Sequence, residues 1–471
     1  MSLDNTHFGA EEIGKLLTTP KKLFFDGIGG VSMCSLARIS QLRGHTVSGY
    51  DRTKTPTTEK LEKQGITVFY EGDATHVKNC DALIYTVAIP ADNPEYRAAM
   101  KRGIPCISRA DFLGYLMSGY KCRIGISGMH GKSTTTSMTE AVFASAGLDP
   151  TVSCGALMKD VGECHRIGTE DYFIFEACEY MDSFLDFYPT IAVILNIEMD
   201  HVDYFHSMEQ IRESFGKFAE RTDSGIALVN CGDDDVMRAV ENFDGKTVTF
   251  GVDAPEADFN AKNIKFSQGC GSFDFCADGE KVIRIELSVP GAHCICDALA
   301  AASAAYLCGA EPEKIAEGLK GFSGAARRMD DCGKSISGAE IYSDYAHHPT
   351  EVETTLKTAV SMEFDKVVAV FQPHTYSRTS ELFDDFVRVL SENGADEIVV
   401  APIYSARETN TYGVSAEALC DSVNKNGKKC RFIGQFSDIA EYVNSVTQNG
   451  DAVMVMGAGD ITKVIPFLKG C

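Results

Sequence analysis

Between residues 122 and 133 the chain reads Cys122-Arg123-Ile124-Gly125-Ile126-Ser127 and then Gly128-Met129-His130-Gly131-Lys132-Ser133. The apolar first half predicts a buried strand, and the Thr/Ser-rich segment that begins at Ser133 predicts the start of a helix. Glycines allow backbone N–H groups to close around a phosphate, and the N-terminus of a helix favours an anion. We therefore expect a phosphate-binding loop in which Lys132 contacts the β- and γ-phosphates of a nucleotide and Ser133 ligates Mg²⁺.

The loop differs in one place from the strict pattern G-x-x-x-x-G-K-[ST], which requires glycine where this chain has Ile126. The match is therefore to a shortened variant. The alternative is an ordinary glycine-rich turn between a strand and a helix. Strand, loop and helix all agree with the motif, so we interpret the segment as a phosphate site. Its candidate nucleotide contacts are Gly128, Met129, His130, Gly131, Lys132, Ser133 and Thr134.

Outward from this loop, strand-like apolar runs alternate with helical patterns along the whole chain, which predicts α/β architecture with mostly parallel sheets. A length of 471 residues suggests three domains, at about 100–200 residues each. We place their bounds at 1–119, 120–324 and 325–471. In the second domain, an alternating polar stretch near 255–290 predicts a small antiparallel sheet, and an alanine-rich helix is expected near 295–308.

A second glycine loop, Gly27-Ile28-Gly29-Gly30-Val31-Ser32, follows an apolar run at residues 23–25. It is similar to the dinucleotide pattern G-x-G-x-x-G/A, with serine in the last position. Asp51 ends the next predicted strand, where a ribose-binding acid would lie. Alone, the pattern fits NAD, FAD or any nucleotide that carries a pyrophosphate. The alternative is a glycine turn that packs a helix on a strand.

Candidate metal ligands stand at the ends of two buried strands in the second domain. Glu176 and Glu179 follow the run at 172–175, and a segment that ends with His201 follows the run at 191–195. Ligands of open α/β sheets gather at the carboxyl ends of strands. Individually, such residues are more often solvated loop residues or helix caps. Together with the Lys132 loop, they favour metal ligation.

In the third domain, two histidine-bearing loops follow predicted strands and are typical of substrate-facing elements: residues 344–349 and 372–378. Zinc is disfavoured there, because the adjacent side chains of His347 and His348 cannot easily converge on one ion. Helix capping by Asp344 or Ser377 is the structural alternative. Residues 457–459 form either an anion site or only a tight turn, and the sequence favours neither.

The composition argues against several other classes of protein. A net charge of −23 disfavours a nucleic-acid or anionic-membrane surface, since both require a basic footprint. The 17 cysteines are odd in number and irregularly spaced, and no C-x-x-C pair occurs, which fits a reducing compartment. The sequence shows no signal-peptide pattern and no apolar run that could span a bilayer, so we expect a soluble, cytoplasmic protein.

Taken in order, these motifs resemble those of the Mur ligase family of peptidoglycan synthesis, and within it the alanine-adding branch, over about residues 27–459. The resemblance implies a Rossmann-like N-terminal domain that binds UDP, a central P-loop-type ATPase domain, and a Rossmann-like C-terminal domain that helps to bind the amino acid. It implies ATP-dependent ligation of L-alanine to the carboxylate of UDP-N-acetylmuramic acid through an acyl phosphate, with two Mg²⁺ ions. We expect no partners beyond these small molecules, and a monomer or a weak homodimer.

The resemblance also implies roles for residues. Glu176 and His201 match metal-binding positions, and Arg328 belongs to a double arginine near nucleotide phosphates or ribose. The implied catalytic residues are Lys132, Glu176, His201, His348 and Arg378, and the implied metal ligands are Ser133, Glu176 and His201. The implied UDP-sugar contacts are Gly27, Ile28, Gly29, Gly30, Ser32, Asp51 and Thr86. Further ATP contacts are implied at His293, Asp297, Arg328 and Asp344.

Two positions depart from the family pattern. At the helix that meets the adenine, the usual H-N-x-x-N is replaced by His293-Cys294-Ile295-Cys296-Asp297, so both asparagines are missing. An ionised Asp297 offers only acceptors, whereas asparagine offers a donor and an acceptor. Thr375 stands where family members often have an arginine after Pro-His, which leaves Arg378 as the nearby cation.

Three other functions compete with this one. A nicotinamide dehydrogenase would use the first glycine loop and Asp51, but it leaves the Lys132 loop unexplained. A regulatory P-loop NTPase leaves the first glycine loop and the histidine loops unexplained. A murein peptide ligase, which joins a recycled tripeptide to the same sugar nucleotide, is the nearest alternative and requires a roomier amino-acid pocket.

Overall fold

The structure is a computed structural model that describes residues 3, 6, 8–201, 204–222, 225–392, 394–406 and 408–470. The chain folds as two compact units, one made of residues 1–259 with 300–315 and the other of 260–299 with 316–471. Met1, Ser2 and Asp4 lie outside the described residues, so the expectation of no signal peptide stays a prediction from sequence.

A five-stranded parallel sheet opens the first unit. Its strands are β1 (Lys22–Asp26), β2 (Thr46–Tyr50), β3 (Thr67–Phe69), β4 (Ala82–Tyr85) and β5 (Cys106–Ser108), in the order β3-β2-β1-β4-β5. Its helices are α1 (Ala10–Leu16), α2 (Val31–Leu42), α3 (Pro56–Lys63), α4 (Pro94–Arg102) and α5 (Arg109–Ser118). The strand order reverses between β1 and β4, and open α/β sheets bind ligands at such a switch point.

A second sheet of the first unit carries the Lys132 loop. Its strands are β6 (Cys122–Ser127), β7 (Thr151–Met158), β8 (Glu163–Arg166), β9 (Tyr172–Glu176), β10 (Ile191–Ile194), β11 (Ile226–Asn230) and β12 (Lys246–Val252). They lie in the order β12-β11-β10-β6-β9-β7-β8 and are parallel, except that β7 and β8 form an antiparallel pair. The helices are α6 (Lys132–Ser145), α7 (Met208–Glu220) and α8 (Asp234–Ala239), with a 3-10 helix at Tyr180–Asp186.

One hydrophobic core joins the two sheets of the first unit. Phe112 of α5 and Phe184 of the 3-10 helix are both fully buried in the same cluster. Gly114 of α5 permits this approach, because a Cβ atom there would lie 2.2 Å from the carbonyl oxygen of Asp186. Burial of each phenylalanine stabilises the fold by roughly 1.5–3 kcal/mol, so this packing couples the two sheets.

The second unit combines three neighbouring strands of one sheet with a second, six-stranded sheet that is mostly parallel. The strands β13 (Phe259–Ser267), β14 (Cys270–Ala277) and β15 (Glu280–Pro290) lie side by side in chain order, and β14 pairs antiparallel with β15. The other sheet consists of β16 (Asp330–Lys334), β17 (Glu340–Asp344), β18 (Val367–Phe371), β19 (Glu397–Val400), β20 (Cys430–Phe432) and β21 (Ala452–Met456). Its order is β16-β17-β21-β18-β19-β20, and β16 is antiparallel to β17 while the other pairs are parallel.

In the described part of the chain, eight helices follow β15. Two of them, α9 (His293–Leu307) and α10 (Pro312–Gly321), lie where the chain passes between the units. The others are α11 (Pro349–Ser361), α12 (Tyr376–Glu381), α13 (Phe383–Glu392), α14 (Ala416–Lys425), α15 (Phe436–Val446) and α16 (Val464–Lys469), with a 3-10 helix at Ile461–Lys463.

The expected α/β class with parallel sheets is confirmed, as are the antiparallel stretch near 255–290 and the alanine-rich helix near 295–308. The sequence analysis did not predict α1 or the hairpin of β7 and β8. In the part of the chain that the structure describes, no helix is both long and apolar enough to cross a membrane.

Candidate active site

The first glycine loop lies at the switch point of the first sheet. Gly27 follows β1 with φ +85°, a conformation that favours glycine, and a Cβ atom there would lie 2.7 Å from Cγ2 of Thr86, which follows β4. The N–H of Gly29 donates to Oδ2 of Asp51 at 2.9 Å. The structure thus brings Gly27, Gly29, Asp51 and Thr86 together at one edge of the sheet.

The other residues of this loop differ in what they contact. Ile28 is fully buried, and Gly30 is the N-cap of α2. The hydroxyl of Ser32 accepts a hydrogen bond from Nη1 of Arg109 at 3.3 Å. We did not predict Arg109 from the sequence, where no motif surrounds it. Its guanidinium supplies a positive charge beside the loop, which suits a pyrophosphate.

Asp26, the last residue of β1, is buried directly before the loop. Burial raises the pKa of Asp26 to about 8, and the carboxylates of Glu95 and Asp51 act in the same direction. A hydrogen bond from Nδ2 of Asn93 at 3.2 Å partly opposes this shift. The folded protein therefore holds a proton on Asp26 at neutral pH.

Asp26→Asn is expected to stabilise the protein, and more so as the pH rises. The unfolded chain releases the Asp26 proton near the ordinary pKa of 3.8, whereas the folded chain holds it to about pH 8. The wild type therefore loses stability across this window, and the asparagine variant does not. Its advantage in free energy of unfolding should reach a few kcal/mol near pH 8. Urea unfolding of both proteins between about pH 5 and pH 8 measures it, and a pH-independent difference would contradict it.

The predicted strand, loop and helix of the phosphate site are present. The loop follows β6, and Gly131 is the N-cap of α6 with φ +84°. Asn196, which lies beyond the end of β10, fixes the loop: its Oδ1 accepts from the N–H of His130 at 2.8 Å, and its Nδ2 donates to the His130 carbonyl at 3.0 Å. The peptide N–H of Met129 donates to the Asn196 carbonyl at 3.3 Å. A single residue on the neighbouring strand end thus sets the shape of the loop.

Lys132 is paired with Glu179, a candidate metal ligand whose contact with Lys132 we did not predict from the sequence. Its Nζ donates to the Gly128 carbonyl at 2.5 Å and lies 2.9 Å from Oε2 of Glu179. Burial would lower the pKa of Lys132, but Glu179 raises it above its usual value. Burial would likewise raise the pKa of Glu179, but Lys132 and His201 lower it. Nε2 of His201 lies 3.0 Å from Oε1 of Glu179, so this buried carboxylate bridges two of the predicted site residues.

Ser133, the residue after Lys132, contacts a different carboxylate, that of Glu176. Oγ of Ser133 donates to Oε2 of Glu176 at 2.8 Å, and the N–H of Gly155 donates to the same oxygen at 2.7 Å. A hydroxyl and a carboxylate are oxygen ligands of the kind that Mg²⁺ prefers. The predicted metal ligands therefore divide into two groups, Ser133 with Glu176 and His201 with Glu179.

In the second unit, Asp344 ends β17 and accepts from the N–H of Met329 at 2.8 Å. The neighbouring Arg327 donates to the carbonyl oxygens of Gly457 and Gly459. Because the carbonyls of these glycines face a cation, the structure favours the tight turn over an anion site at residues 457–459.

Arg328 and the first turn of α9 hold the predicted adenine-site residues. Oε1 of Glu351 lies 3.9 Å from Nη1 of Arg328. Burial, and then the charge of Arg328, lower the pKa of His293 to about 4, so His293 is neutral at pH 7. Cys294 and Asp297 are also buried in this helix, and the Cys294 thiol donates to the Pro290 carbonyl at 3.4 Å.

Helix capping by Asp344 or Ser377, the structural alternative for the histidine loops, is not what the structure shows. The N-cap of α11 is His348 and not Asp344, and its Nδ1 accepts from the N–H of Thr350 at 3.4 Å. A neutral imidazole that accepts at Nδ1 carries its proton on Nε2, so His348 presents a donor at that atom. The N-cap of α12 is Thr375 and not Ser377.

Thr375 and Arg378 are linked by that cap, because Oγ1 of Thr375 accepts from the Arg378 N–H at 3.4 Å. Ser377 instead donates its hydroxyl to Glu408. Nη1 of Arg378 lies 3.5 Å from Nδ1 of His374. The threonine that departs from the family pattern therefore starts the helix that carries Arg378.

Three family models match successive parts of the chain: "Mur ligase family, catalytic domain" at residues 24–121, "Mur ligase middle domain" at 126–305, and "Mur ligase, glutamate ligase domain" at 327–459. The chain belongs to the Mur ligase family. It is 44% identical to the UDP-N-acetylmuramate–L-alanine ligase of Caldicellulosiruptor saccharolyticus, over 95% of this chain and 98% of that one. It is also 44% identical to the enzyme of that name from Clostridium acetobutylicum, over 94% and 96% of the two chains.

Solved structures agree with the fold. The UDP-N-acetylmuramate–alanine ligase of Thermotoga maritima is 26% identical and superposes with a TM-score of 0.80, covering 94% of this chain and 97% of its own. A murein peptide ligase of Psychrobacter arcticus shares the fold with a TM-score of 0.71 at 21% identity, covering 96% and 99%.

Proposed function

We propose that this protein is an ATP-dependent ligase that joins the amine of L-alanine to the carboxylate of UDP-N-acetylmuramic acid and releases ADP and phosphate. The observation that carries the proposal is the largely buried Lys132 in a glycine loop, with the Ser133–Glu176 contact beside it. The likeness to two ligases of that name over nearly the whole chain supports the choice of substrates. A dehydrogenase does not require a lysine-bearing glycine loop of this kind.

The proposed reaction must bring two anions together. The sugar carboxylate attacks the γ-phosphorus of ATP and forms an acyl phosphate, with ADP as the leaving group. The amine of alanine then attacks the acyl carbon, loses a proton and expels phosphate. Such chemistry depends mostly on positioning and electrostatics. Lys132 and the loop N–H groups at the start of α6 offset the negative charge at the phosphates.

Ser133 and Glu176 would hold one Mg²⁺, and His201 with Glu179 would hold a second. The oxygen atoms of Ser133 and Glu176 lie 2.8 Å apart, and the nitrogen of His201 lies 3.0 Å from the oxygen of Glu179. Each pair could therefore bind one ion if its two side chains moved slightly apart. When bound, Mg²⁺ neutralises charge that develops on the phosphate oxygens.

We assign the sugar nucleotide to the first glycine loop, where Arg109 and the N–H groups of α2 favour a pyrophosphate. In the second unit, His348 would help to position alanine by donating its Nε2 proton to an oxygen acceptor rather than accept a proton from the amine, since its Nδ1 already caps α11. Arg378 would offset carboxylate charge. We further propose domain bounds at 1–119, 120–324 and 325–471, a cytoplasmic location, and a monomer or weak homodimer.

The test of this function is phosphate release with ATP, UDP-N-acetylmuramic acid and a panel of amines. We expect L-alanine to give a higher kcat/KM than glycine, L-serine or a tripeptide, and no release without the sugar nucleotide. Faster release with the tripeptide would instead indicate a murein peptide ligase. Release that is independent of the sugar nucleotide would indicate a regulatory NTPase.

Asn196→Ala is expected to raise the KM for ATP roughly tenfold, because the loop loses two hydrogen bonds at His130. Asn230→Ala is a matched control, because Nδ2 of Asn230 donates to the Leu195 carbonyl at 2.9 Å, next to the same segment. Steady-state kinetics at varied ATP measure both variants. Equal KM values for wild type and Asn196→Ala would contradict the role given to Asn196.

Asp297→Asn is expected to lower the KM for ATP about three- to tenfold, because the amide adds a donor for an adenine ring nitrogen. It should leave the KM for alanine unchanged, since we assign the amine to other residues. Kinetics at varied ATP and then at varied alanine test both parts. Weaker ATP binding in the variant would mean that the Asp297 carboxylate is part of a competent site.

A further inference from the structure

A cluster of two thiols and an imidazole joins α2 to the edge strand β8 of the first unit. Sγ of Cys34 and Sγ of Cys164 lie 3.7 Å apart, and Nδ1 of His165 lies 3.9 Å from the Cys164 sulfur. The three ligand atoms all lie within 4.8 Å of one another. The ligase mechanism proposed above uses none of them.

We propose that Cys34, Cys164 and His165 bind a thiophilic divalent cation, Zn²⁺, with a fourth position open to water. Tetrahedral zinc with Zn–S distances of about 2.3 Å requires its sulfurs to lie about 3.8 Å apart, close to the 3.7 Å found here. The two thiols are therefore already spaced for a shared ion. A disulfide would require them to close to about 2.05 Å.

The surroundings of His165 match those of a metal-binding histidine. Such a histidine usually donates its second ring N–H to a carboxylate, which fixes the orientation of the ring. Here Nε2 of His165 lies 3.3 Å from Oε2 of Glu163, while Nδ1 faces the thiols. Glu163 is held in turn by Nζ of Lys60 at 2.5 Å. The carboxylate thus supports the ring without competing for the ion.

The two thiols differ in their exposure to solvent. Cys34 is buried and Cys164 is only half-buried, so an ion can enter from the Cys164 side.

Cys164 and His165 are consecutive, and consecutive residues of a regular strand point to opposite faces. β8 is irregular, however: it is the edge of its sheet, and its pairing with β7 shifts register between Ser153 and Met158. The sulfur of Cys164 and Nδ1 of His165 lie 3.9 Å apart, so both side chains lie on the same side of the strand. This distinguishes the pair from the adjacent His347 and His348, which cap and flank a helix.

The experiment is a titration of the reduced, chelator-treated full chain with Co²⁺, followed by displacement with Zn²⁺. We expect one equivalent of Co²⁺ to produce a thiolate-to-cobalt charge-transfer band that Zn²⁺ removes and excess Mg²⁺ does not. The band should be lost in Cys34→Ser and in Cys164→Ser. Glu163→Gln should weaken binding about ten- to hundredfold.

The chain supplies a matched control in Cys122 and Cys308, whose sulfurs lie 3.6 Å apart and which are not part of a three-ligand group among the described residues. Cys122→Ser should keep the band at full strength. If Cys34→Ser fails to fold, the half-buried Cys164→Ser gives the answer alone. A wild type without a thiolate band, a band that survives Cys164→Ser, or one that is lost in Cys122→Ser would overturn the proposal. Phosphate release does not enter this test, so it stands apart from the ligase assignment.

Discussion

Lys132→Ala is expected to lower phosphate release by about a thousandfold or more. The variant removes the one cation that lies inside the phosphate loop among the described residues, 2.9 Å from Glu179 and 2.5 Å from the Gly128 carbonyl. Loss of one preorganised group on developing charge typically costs about 10²–10³ in kcat, and loss of a full positive charge at two meeting anions should cost more. Phosphate release with saturating substrates measures the effect.

The variant also leaves Glu179 buried without its cation, which can cost about 3–5 kcal/mol of stability. A double variant, Lys132→Ala with Glu179→Gln, removes that unpaired charge and serves as the control for stability; its activity is examined only for recovery, since Glu179 is itself proposed to hold Mg²⁺. We expect the double variant to unfold at a temperature near that of the wild type while still releasing almost no phosphate. If the double variant regains activity, the role of Lys132 is structural and the phosphate assignment is wrong.

Glu176→Gln is expected to lower kcat about a hundredfold or more and to raise the Mg²⁺ concentration needed for half-maximal rate. The amide keeps the shape of the side chain and can still accept from Ser133 Oγ and the Gly155 N–H, so the fold should be retained. It removes the negative charge that a hard cation requires. Rates at varied Mg²⁺ and saturating ATP measure both effects.

The control for this variant is Glu140→Gln, a carboxyl-to-amide change at a buried glutamate of the same unit. Glu140 lies on α6, and its carboxylate pairs with Nη1 of Arg166 at 2.7 Å rather than with the phosphate loop. We expect Glu140→Gln to keep the wild-type dependence on Mg²⁺. An unchanged Mg²⁺ dependence in Glu176→Gln would contradict the assignment of Glu176 as a metal ligand.

The local structure that sequence analysis predicted correctly around the candidate site is set by local chemistry. A glycine loop between an apolar run and a helix start fixes where a strand ends and where backbone N–H groups converge. For this reason the positions of both loops, at residues 27–32 and 128–133, could be placed without a structure. The placement of Glu176 at the end of β9 follows from the same reasoning.

The parts that could not be predicted depend on which segments become neighbours in space. Asn196 contacts the loop across 66 residues, Glu179 contacts Lys132 across 47, and Arg109 contacts Ser32 across 77. No local sequence pattern predicts these long-range contacts, because the order of the strands depends on the packing of the whole sheet. Glu179 carried the best available signal, as the second acid of a motif whose first acid we had assigned.

The N-cap residues of α11 and α12 show a different limit of prediction from sequence. Asp344 and Ser377 are better N-cap residues by statistics than histidine, and both lie near helix starts. The structure uses His348 and Thr375 instead, because Asp344 accepts from the N–H of Met329 and Ser377 contacts Glu408. A preference for one residue type is weak evidence when long-range partners compete for the same side chain.

The central claim is that a sugar carboxylate is activated by phosphoryl transfer before the amine attacks. Its most direct test uses UDP-N-acetylmuramic acid labelled with ¹⁸O in the carboxylate, together with ATP and L-alanine. Mass spectrometry of the released phosphate should show one ¹⁸O atom from the carboxylate in each phosphate, and the UDP-sugar product should gain one alanine with loss of that oxygen. Phosphate that carries no label, formed alongside the alanine adduct, would contradict the account.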